Sequence, residues 1–296
     1  FYGRGHDVVS LVGGATGRVG DPSGRSTDRN AMASAVLLDI ITRINGQLRQ
    51  FFENGLRYYQ NRNGATSSKG KWTQVDNYDW WKDVSMLEFL AKYGRHIRIQ
   101  SMLSRDSVSN RLSSSEGLGF NEFTYQVLQA YDFYHLYKER GVTVQVGGND
   151  QWGNITAGID LINRVSSDSH KCPPMGLTVP LLTTASGEKF GKSAGNAVFI
   201  DPELNTAYDI YQFFYNTPDA DVSRFLKIFT LLPLDDIESI VEKHLKTPHL
   251  RAAQKLLAAE VTELLHGPGS GKESGIISDI IFGDTDVLKT SSADSM

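Results

Sequence analysis

The sequence is poor in cysteine, with Cys172 as the only one among 296 residues. A single cysteine excludes an intramolecular disulfide and a zinc site built from several cysteines. No apolar run approaches the roughly 20 residues that a membrane-spanning helix needs, and no signal or transit segment is recognisable, so we expect no membrane partner. The chain starts at Phe1, inside an apolar element, and we interpret it as shortened at its N-terminus, with any targeting segment outside it.

An excess of charge of either sign is also lacking. Lys and Arg number 30 and Asp and Glu number 34, which gives a formal net charge of −4. No global positive field therefore requires a nucleic-acid partner, although a local basic patch remains compatible with this balance. Hydrophobic residues make up 40% and aromatic residues 10%, which excludes a disordered or collagen-like chain. The length predicts two domains.

Strands alternating with helices in the first two thirds of the chain predict an α/β fold with a parallel sheet. From about residue 206 only helical periods remain, so we place a first domain at 1–204, a helical domain at 205–284 and a tail at 285–296. We expect strands at 8–12, 142–146 and 177–183, loops at 60–71, 113–117 and 187–196, and helices at 31–52, 84–93, 104–112, 121–139, 154–165, 208–215, 222–231, 235–246 and 250–266.

Two glycine-rich segments follow predicted strands, where parallel sheets bind ligands. The first begins at Gly13-Gly14 and includes Asp21; its glycines permit close approach of a ligand to the backbone. The second, residues 145–154, opens a helix whose backbone amides suit a nucleotide, and Asp150 there could accept from ribose hydroxyls. Tight turns, with Asp21 and Asp150 as turn or capping residues, are the alternative, because neither segment has the dinucleotide or P-loop pattern.

The predicted helix 121–139 carries a polar stripe. Tyr125, Gln129 and Asp132 stand at i, i+4 and i+7 and share one face, while the other faces are apolar, as in a buried helix. A buried carboxylate without partners costs several kcal/mol, and a polar ligand would supply partners. The alternative is a partly exposed helix whose stripe faces water.

Two lysines in a glycine-containing loop, Lys189 and Lys192, can converge on one polyphosphate. Their charge would then stabilise negative charge that develops during phosphoryl or nucleotidyl transfer. The alternative is a solvated charged loop.

Four segments in this order resemble the tyrosyl-tRNA synthetases of the bacterial and mitochondrial type, over nearly the whole chain. The segments are Gly13-Gly14-Ala15-Thr16 running to Gly20-Asp21-Pro22-Ser23-Gly24, Tyr125 followed by Gln129-Ala130-Tyr131-Asp132-Phe133, Gly147-Gly148-Asn149-Asp150-Gln151-Trp152-Gly153-Asn154-Ile155, and Lys189-Phe190-Gly191-Lys192-Ser193. Residues 251–255 and 260–267 resemble the helical domain of the same family. Residues 192–198 are most similar to its mitochondrial branch, which includes fungal members.

The resemblance implies a class I synthetase with a Rossmann-like catalytic domain and a helical anticodon-binding domain. It implies that tyrosine reacts with ATP, assisted by Mg²⁺, to give tyrosyl-adenylate and pyrophosphate, and that the tyrosyl group passes to tRNA(Tyr). A homodimer in the mitochondrial matrix is expected. Phe120 matches a position at the family's dimer interface, although from this sequence alone it is equally compatible with a core residue.

The resemblance also assigns roles to individual residues, and it assigns none of them to a metal. Tyrosine is bound by Asp21, Tyr125 and Gln129 at its ammonium group, by Asp132 at its phenol and by Gln145 alongside. The adenylate is lined by Gly148, Asp150 and Gln151, with Lys192 also in contact with ATP. Lys189 and Lys192 belong to a mobile loop that closes on the pyrophosphate.

Two features of the family are absent from this sequence: the His-x-Gly-His motif, which His6 does not replace, and the S4-like RNA-binding domain. An alternative function is suggested by fungal mitochondrial members that promote group I intron splicing, with the segment 61–71 as an insertion that could bind intron RNA. A Rossmann oxidoreductase is disfavoured because the dinucleotide glycine pattern is missing.

Overall fold

The computed structural model describes residues 1–23, 33–63, 70–113, 117–166, 172–187, 190 and 198–282. The helices are α1 (Ser34–Asn63), α2 (Tyr78–Trp81), α3 (Met86–Lys92), α4 (Ile99–Leu103), α5 (Asp106–Leu112), α6 (Phe120–Arg140), α7 (Trp152–Val165), α8 (Ala207–Tyr215), α9 (Asp219–Phe229), α10 (Leu234–Lys246), α11 (Ala252–His266) and α12 (Ser270–Phe282), and the strands are β1 (Val8–Val12), β2 (Trp72–Asp76), β3 (Val144–Gly148) and β4 (Met175–Val179).

The strands confirm the predicted α/β class. β3 and β4 pair in parallel, with Val144 opposite Met175 and Gly148 opposite Val179, and α7 forms the crossover between them. β1 and β2 pair as a second two-stranded sheet. β3 begins two residues later than predicted, because Gly141 caps the C-terminus of α6 in the left-handed conformation (φ 68°) and the next two residues make the connection.

The chain divides into two compact units. The first contains residues 1–8, 45–72 and 182–296, and the second contains 9–44 and 73–181. β3, β4, α6 and α7 lie in the second unit, and α8 to α12 lie in the first. The domain boundaries predicted at 204 and 284 stay predictions.

Within the second unit, α6 packs closely on α7. Phe133 of α6 is 1% exposed, and a Cβ added at Gly158 of α7 would lie 2.8 Å from the Phe133 ring. Glycine at this position therefore lets the two helices approach. The predicted buried helix at 121–139 is confirmed, with eight buried residues along α6.

Within the first unit, α8 to α11 confirm the predicted helices and share one apolar core. Thr206 starts α8 with a capping box that includes Asp209, and Ile210, Leu226 and Leu257 are fully buried in the core. α12 was not predicted, because its glycines lower helix propensity. A Cβ at Gly271 would lie 2.3 Å from the Ala259 carbonyl oxygen, so glycine is what permits α12 to pack on α11.

The predicted loop at 60–71 is partly wrong, because α1 continues to Asn63. The extension is anchored in the first unit, where Tyr58 and Arg62 both donate to Glu260 of α11; a tertiary contact thus overrides the local polarity. β2 and α2 were not predicted either.

Among the described residues, no helix combines the length and apolarity of a membrane-crossing segment.

Candidate functional site

The candidate site is built around Asp132, which is 2% exposed on α6. Its Oδ1 accepts hydrogen bonds from the indole Nε1 of Trp80 at 2.8 Å and of Trp81 at 2.7 Å. Its Oδ2 accepts from Nδ2 of Asn77 at 3.0 Å. The buried carboxylate that the polar stripe predicted is therefore held by three neutral donors from the segment that follows β2.

Asn77 connects Asp132 to the first glycine-rich segment. It is 1% exposed; its Nδ2 also donates to Thr16 Oγ1 at 2.9 Å, and its Oδ1 accepts from the Ala15 backbone N–H at 2.7 Å. The neighbouring Asp76 accepts from the Gly14 backbone N–H at 3.0 Å. A Cβ at Gly14 would lie 2.2 Å from Asp76 Oδ1, so this glycine is required by the close approach of the carboxylate.

Burial dominates the electrostatics of Asp132. Desolvation raises the pKa of its carboxyl from 3.8 to about 6, against the opposing effect of the hydrogen bonds from Asn77, Trp80 and Trp81, and the negative charge of Asp76 raises it further. Among the described residues, no lysine or arginine forms an ion pair with it. At neutral pH the site therefore presents an anionic acceptor that keeps part of its hydrogen-bonding capacity for a ligand.

A second contact joins the two glycine-rich segments. Gln151 Nε2 donates to Asp21 Oδ2 at 3.0 Å, and Asn154 Nδ2 donates to Ser23 Oγ at 3.4 Å. Asp21 also accepts from the Ser23 backbone N–H at 2.9 Å, as the turn alternative predicted for it. Both interpretations of Asp21 thus stay compatible with the structure, and the segments after β1 and β3 meet within the second unit.

The remaining predicted residues of the second unit lie on α6, β3 and the turn that follows β3. Tyr125 and Gln129 are half-buried on α6. Gln145 is half-buried, and its Oε1 is buried with no hydrogen-bond partner among the described residues. Gly148 ends β3, and Asp150 is exposed. An acceptor left without a partner in the protein, such as Gln145 Oε1, is suited to a donor on a ligand.

Lys189 and Lys192 lie outside the described residues, so the structure does not place them. Phe190 between them packs against the core of the helices in the first unit, with its ring 5.1 Å from that of Phe225. Phe120, expected at a subunit interface or in a core, is 73% exposed; the core alternative is therefore wrong for the single chain.

Sequence reasoning missed Asn77, Trp80 and Trp81 because it missed the strand that precedes them. The available signal was the β-branched and aromatic composition of 72–76 and the polar-aromatic run that follows.

Within the described part of the chain, no group of three or more His, Cys, Asp or Glu side chains is arranged to hold a metal.

Comparison with known proteins gives consistent matches. The family model described as tRNA synthetases class I (W and Y) matches residues 1–282. The mitochondrial tyrosine–tRNA ligase of Saccharomyces cerevisiae is 64% identical over 288 residues, covering 97% of the chain and 58% of the yeast protein. The mitochondrial tyrosine–tRNA ligase of Drosophila melanogaster is 44% identical, covering 94% and 59%. The chain thus spans less than two thirds of these relatives.

Among solved structures, a C-terminally truncated mitochondrial tyrosyl-tRNA synthetase from Aspergillus nidulans superposes with a TM-score of 0.85 at 36% identity, covering 95% of the chain and 78% of that structure. A corresponding structure from Coccidioides posadasii gives a TM-score of 0.80 at 36% identity, covering 93% and 75%. The similarity extends through both compact units.

Proposed function

The chain belongs to the tRNA synthetases of class I (W and Y), and we propose that it is the core of a tyrosine–tRNA ligase. The ligase joins tyrosine to ATP as tyrosyl-adenylate, releases pyrophosphate, and transfers the tyrosyl group to tRNA(Tyr). The observation that carries this proposal is the buried, anionic Asp132 with three neutral donors, because it is suited to accept a phenolic hydroxyl at the bottom of a site.

Asp132 provides the selection of tyrosine over phenylalanine. The substrate phenol donates to the carboxylate, whereas phenylalanine would desolvate Asp132 without replacing the lost water. The ammonium group lies toward Asp21, Tyr125 and Gln129, where carboxylate, phenol and amide oxygens offer acceptors to a cation. Gln145, whose Oε1 has no partner among the described residues, lies beside the bound amino acid.

The two glycine-rich segments bind the nucleotide. Gly148 brings the backbone close to the adenylate, and Asp150 accepts from the ribose hydroxyls. Gln151, which donates to Asp21, joins the two halves of the site. The tyrosine carboxylate attacks the α-phosphorus of ATP, and pyrophosphate leaves with the bonding electron pair. The protein holds the reactants in line, so no protein nucleophile is needed.

Lys189 and Lys192 stabilise the charge that develops on the departing pyrophosphate. Mg²⁺ typically keeps several waters and binds through substrate phosphates and one or two carboxylates, and the described residues show no ready-made cluster for it. We assign Mg²⁺ to the phosphates of ATP, whose charge it would neutralise, and name no protein ligand for it.

The decisive experiment is tyrosine-dependent ATP–pyrophosphate exchange with the full-length protein. Exchange that depends on tyrosine, and not on tryptophan or phenylalanine, is expected. Exchange driven equally by tryptophan would contradict the proposal, because the family includes enzymes for both amino acids.

A second experiment separates the lysine loop from binding. Replacing Lys192 by Ala is expected to slow adenylate formation at least about a hundredfold while tyrosine affinity changes little, because the charge acts in the transition state. Lys227→Ala, on an exposed part of α9, is the matched control. A loss confined to tyrosine affinity would contradict the assignment of Lys192.

A homodimer in the mitochondrial matrix is part of the proposal. Its support is the exposure of large apolar side chains in the second unit, with Leu87 at 79%, Phe120 at 73% and Ile99 at 66%, together with the mitochondrial relatives. Sedimentation of Phe120→Glu is expected to show monomers where the unmodified protein forms dimers.

The alternative function, group I intron splicing, depends on residues 61–71. Residues 64–69 lie outside the described residues, and no described feature favours this function.

A further inference from the structure

The two indoles that meet Asp132 come from consecutive residues. Trp80 and Trp81 end α2, and both donate to the same oxygen, Oδ1, at 2.8 and 2.7 Å. Neighbouring residues on a helix do not face each other, since they point about 100° apart. Two adjacent rings can converge on one atom only if that atom lies between them, so the position of Asp132 relative to α2 is closely defined.

Each indole is oriented by a different set of neighbours. Trp80 stacks on His135, with 4.4 Å between ring centroids. Trp81 packs against Phe89 at 5.3 Å and Tyr131 at 4.8 Å. Phenylalanine at position 81 would keep an aromatic ring against Phe89 and Tyr131 and would lose the indole N–H with the five-membered part of the ring.

Counting acceptor sites shows what the second indole contributes. An ionised carboxylate has about four lone-pair sites, two on each oxygen. Trp80 and Trp81 fill both sites of Oδ1, whereas Asn77 fills one site of Oδ2. Among the described residues no donor fills the fourth site, which lies on Oδ2. Without the Trp81 N–H, Oδ1 would also have a free site, and a donor could approach either oxygen.

We propose that Trp81 is a positioning residue: by completing the occupancy of Asp132 Oδ1, its indole N–H makes Oδ2 the atom that accepts the phenol of tyrosine. This inference rests on the proposed function. It assigns to Trp81 a role in substrate selection that the sequence motifs did not suggest.

The same N–H favours the ionised carboxylate together with the N–H groups of Asn77 and Trp80, and among the described residues no cation beside Asp132 adds to their effect. From β2, Asp76 opposes ionisation. From α6, burial lowers the pKa of His135 and raises the pKa of Tyr131, so both are neutral near pH 7. Asn77 and Thr16 are uncharged. Loss of one donor should therefore shift the ionisation of Asp132 to higher pH.

The test uses the full-length protein labelled with ¹⁵N in its tryptophan indoles. In the ligand-free state, the Trp80 indole signal should titrate with Asp132, and in Trp81→Phe its midpoint should rise by about one pH unit, the size expected for one hydrogen bond to a charged group. Asp132→Asn should abolish this titration. Trp72→Phe on β2, where the indole stacks on the Phe52 ring at 5.0 Å, is the matched control.

Tyrosine binding supplies the second measurement. Trp81→Phe should weaken tyrosine binding about threefold at pH 6.5, because a pKa raised from about 6 by one unit leaves about a third as much ionised Asp132, and much less at pH 8.5, where Asp132 is ionised again. A role limited to packing would weaken binding equally at both pH values and leave the Trp80 midpoint in place; either result overturns the proposal.

The outcomes also separate this inference from the proposed function. A raised Trp80 midpoint in Trp81→Phe, with no tyrosine binding by the unmodified protein, refutes the ligase proposal and the phenol contact while supporting the control of Asp132 by Trp81. Normal tyrosine-dependent exchange in the unmodified protein, with an unchanged midpoint in Trp81→Phe, supports the ligase proposal and overturns the role of Trp81.

Discussion

Two buried carboxylates, one in each compact unit, are stabilised by opposite means. Asp132 is 2% exposed and Glu260 is 5% exposed. Asp132 accepts from two indoles and an amide. Glu260 accepts from the Tyr58 hydroxyl and forms an ion pair with Arg62. Burial raises the pKa of both groups, but within the described part of the chain only Glu260 has a cation to compensate its charge.

Because no cation compensates the charge of Asp132 among the described residues, its ionisation lowers the stability of the folded protein. The pKa of Asp132 is raised from 3.8 to about 6, so the folded protein binds its proton more tightly than the unfolded chain does. The contribution of this group to stability is present below about pH 4 and is lost as the pH rises through 6, with a cost of about 3 kcal/mol above that. A buried charge kept at such a cost is typical of a binding site.

The largest expected effect is the loss of tyrosine-dependent activity when Asp132, and not Glu260, is replaced. Asp132→Ala should reduce tyrosine-dependent ATP–pyrophosphate exchange about ten- to a hundredfold, since a hydrogen bond to a charged group is worth roughly 1.5–3 kcal/mol. Its thermal midpoint should fall as well, because the N–H groups of Asn77, Trp80 and Trp81 lose their acceptor, so exchange is measured at a temperature at which the variant is folded. Unfolding at a much lower temperature, with normal exchange in the surviving protein, would place Asp132 among structural residues.

The next largest effect is expected at Glu260, where a substitution should change stability and not activity. Glu260→Gln should lower the free energy of unfolding by about 1–3 kcal/mol, because it removes the charge partner of Arg62 and weakens the bond from Tyr58. The choice between tyrosine and phenylalanine should be unaltered. Urea midpoints measure the loss, with Glu242→Gln on the exposed face of α10 as the control. Altered amino-acid selectivity in Glu260→Gln would contradict the assignment of Glu260 to stability alone.

The same contrast explains what the sequence could reveal. Helical periodicity placed Asp132 on a stripe with Tyr125 and Gln129, and the family resemblance assigned it to the substrate phenol. The Trp80 and Trp81 donors were not predicted, since they reach Asp132 across about 50 residues of chain and depend on β2, a strand of only five residues. The sequence did not predict the buried ion pair of Glu260, because its partners lie on α1, about 200 residues away.

Acidity should also distinguish the two carboxylates, with a smaller effect. Tyrosine affinity should fall through a midpoint near pH 6, and at pH 5 it should be about tenfold below its value at pH 7.5, because protonated Asp132 no longer accepts from the phenol. Calorimetric titration across this range measures the profile. A constant affinity between pH 5 and 7.5 would show that the charge of Asp132 is not used. Glu260→Gln should show the same profile as the unmodified protein.

The smallest effect tests whether the cation is what matters at Glu260. Tyr58→Phe removes one neutral donor and keeps the ring, which is 8% exposed, so the free energy of unfolding should fall by only about 1 kcal/mol. Arg62 continues to compensate the carboxylate, and the urea midpoint should lie between those of the unmodified protein and Glu260→Gln. A loss as large as that of Glu260→Gln would mean that neutral donors sustain this carboxylate too. The two sites would then differ in their ligands alone and not in how their charge is stabilised.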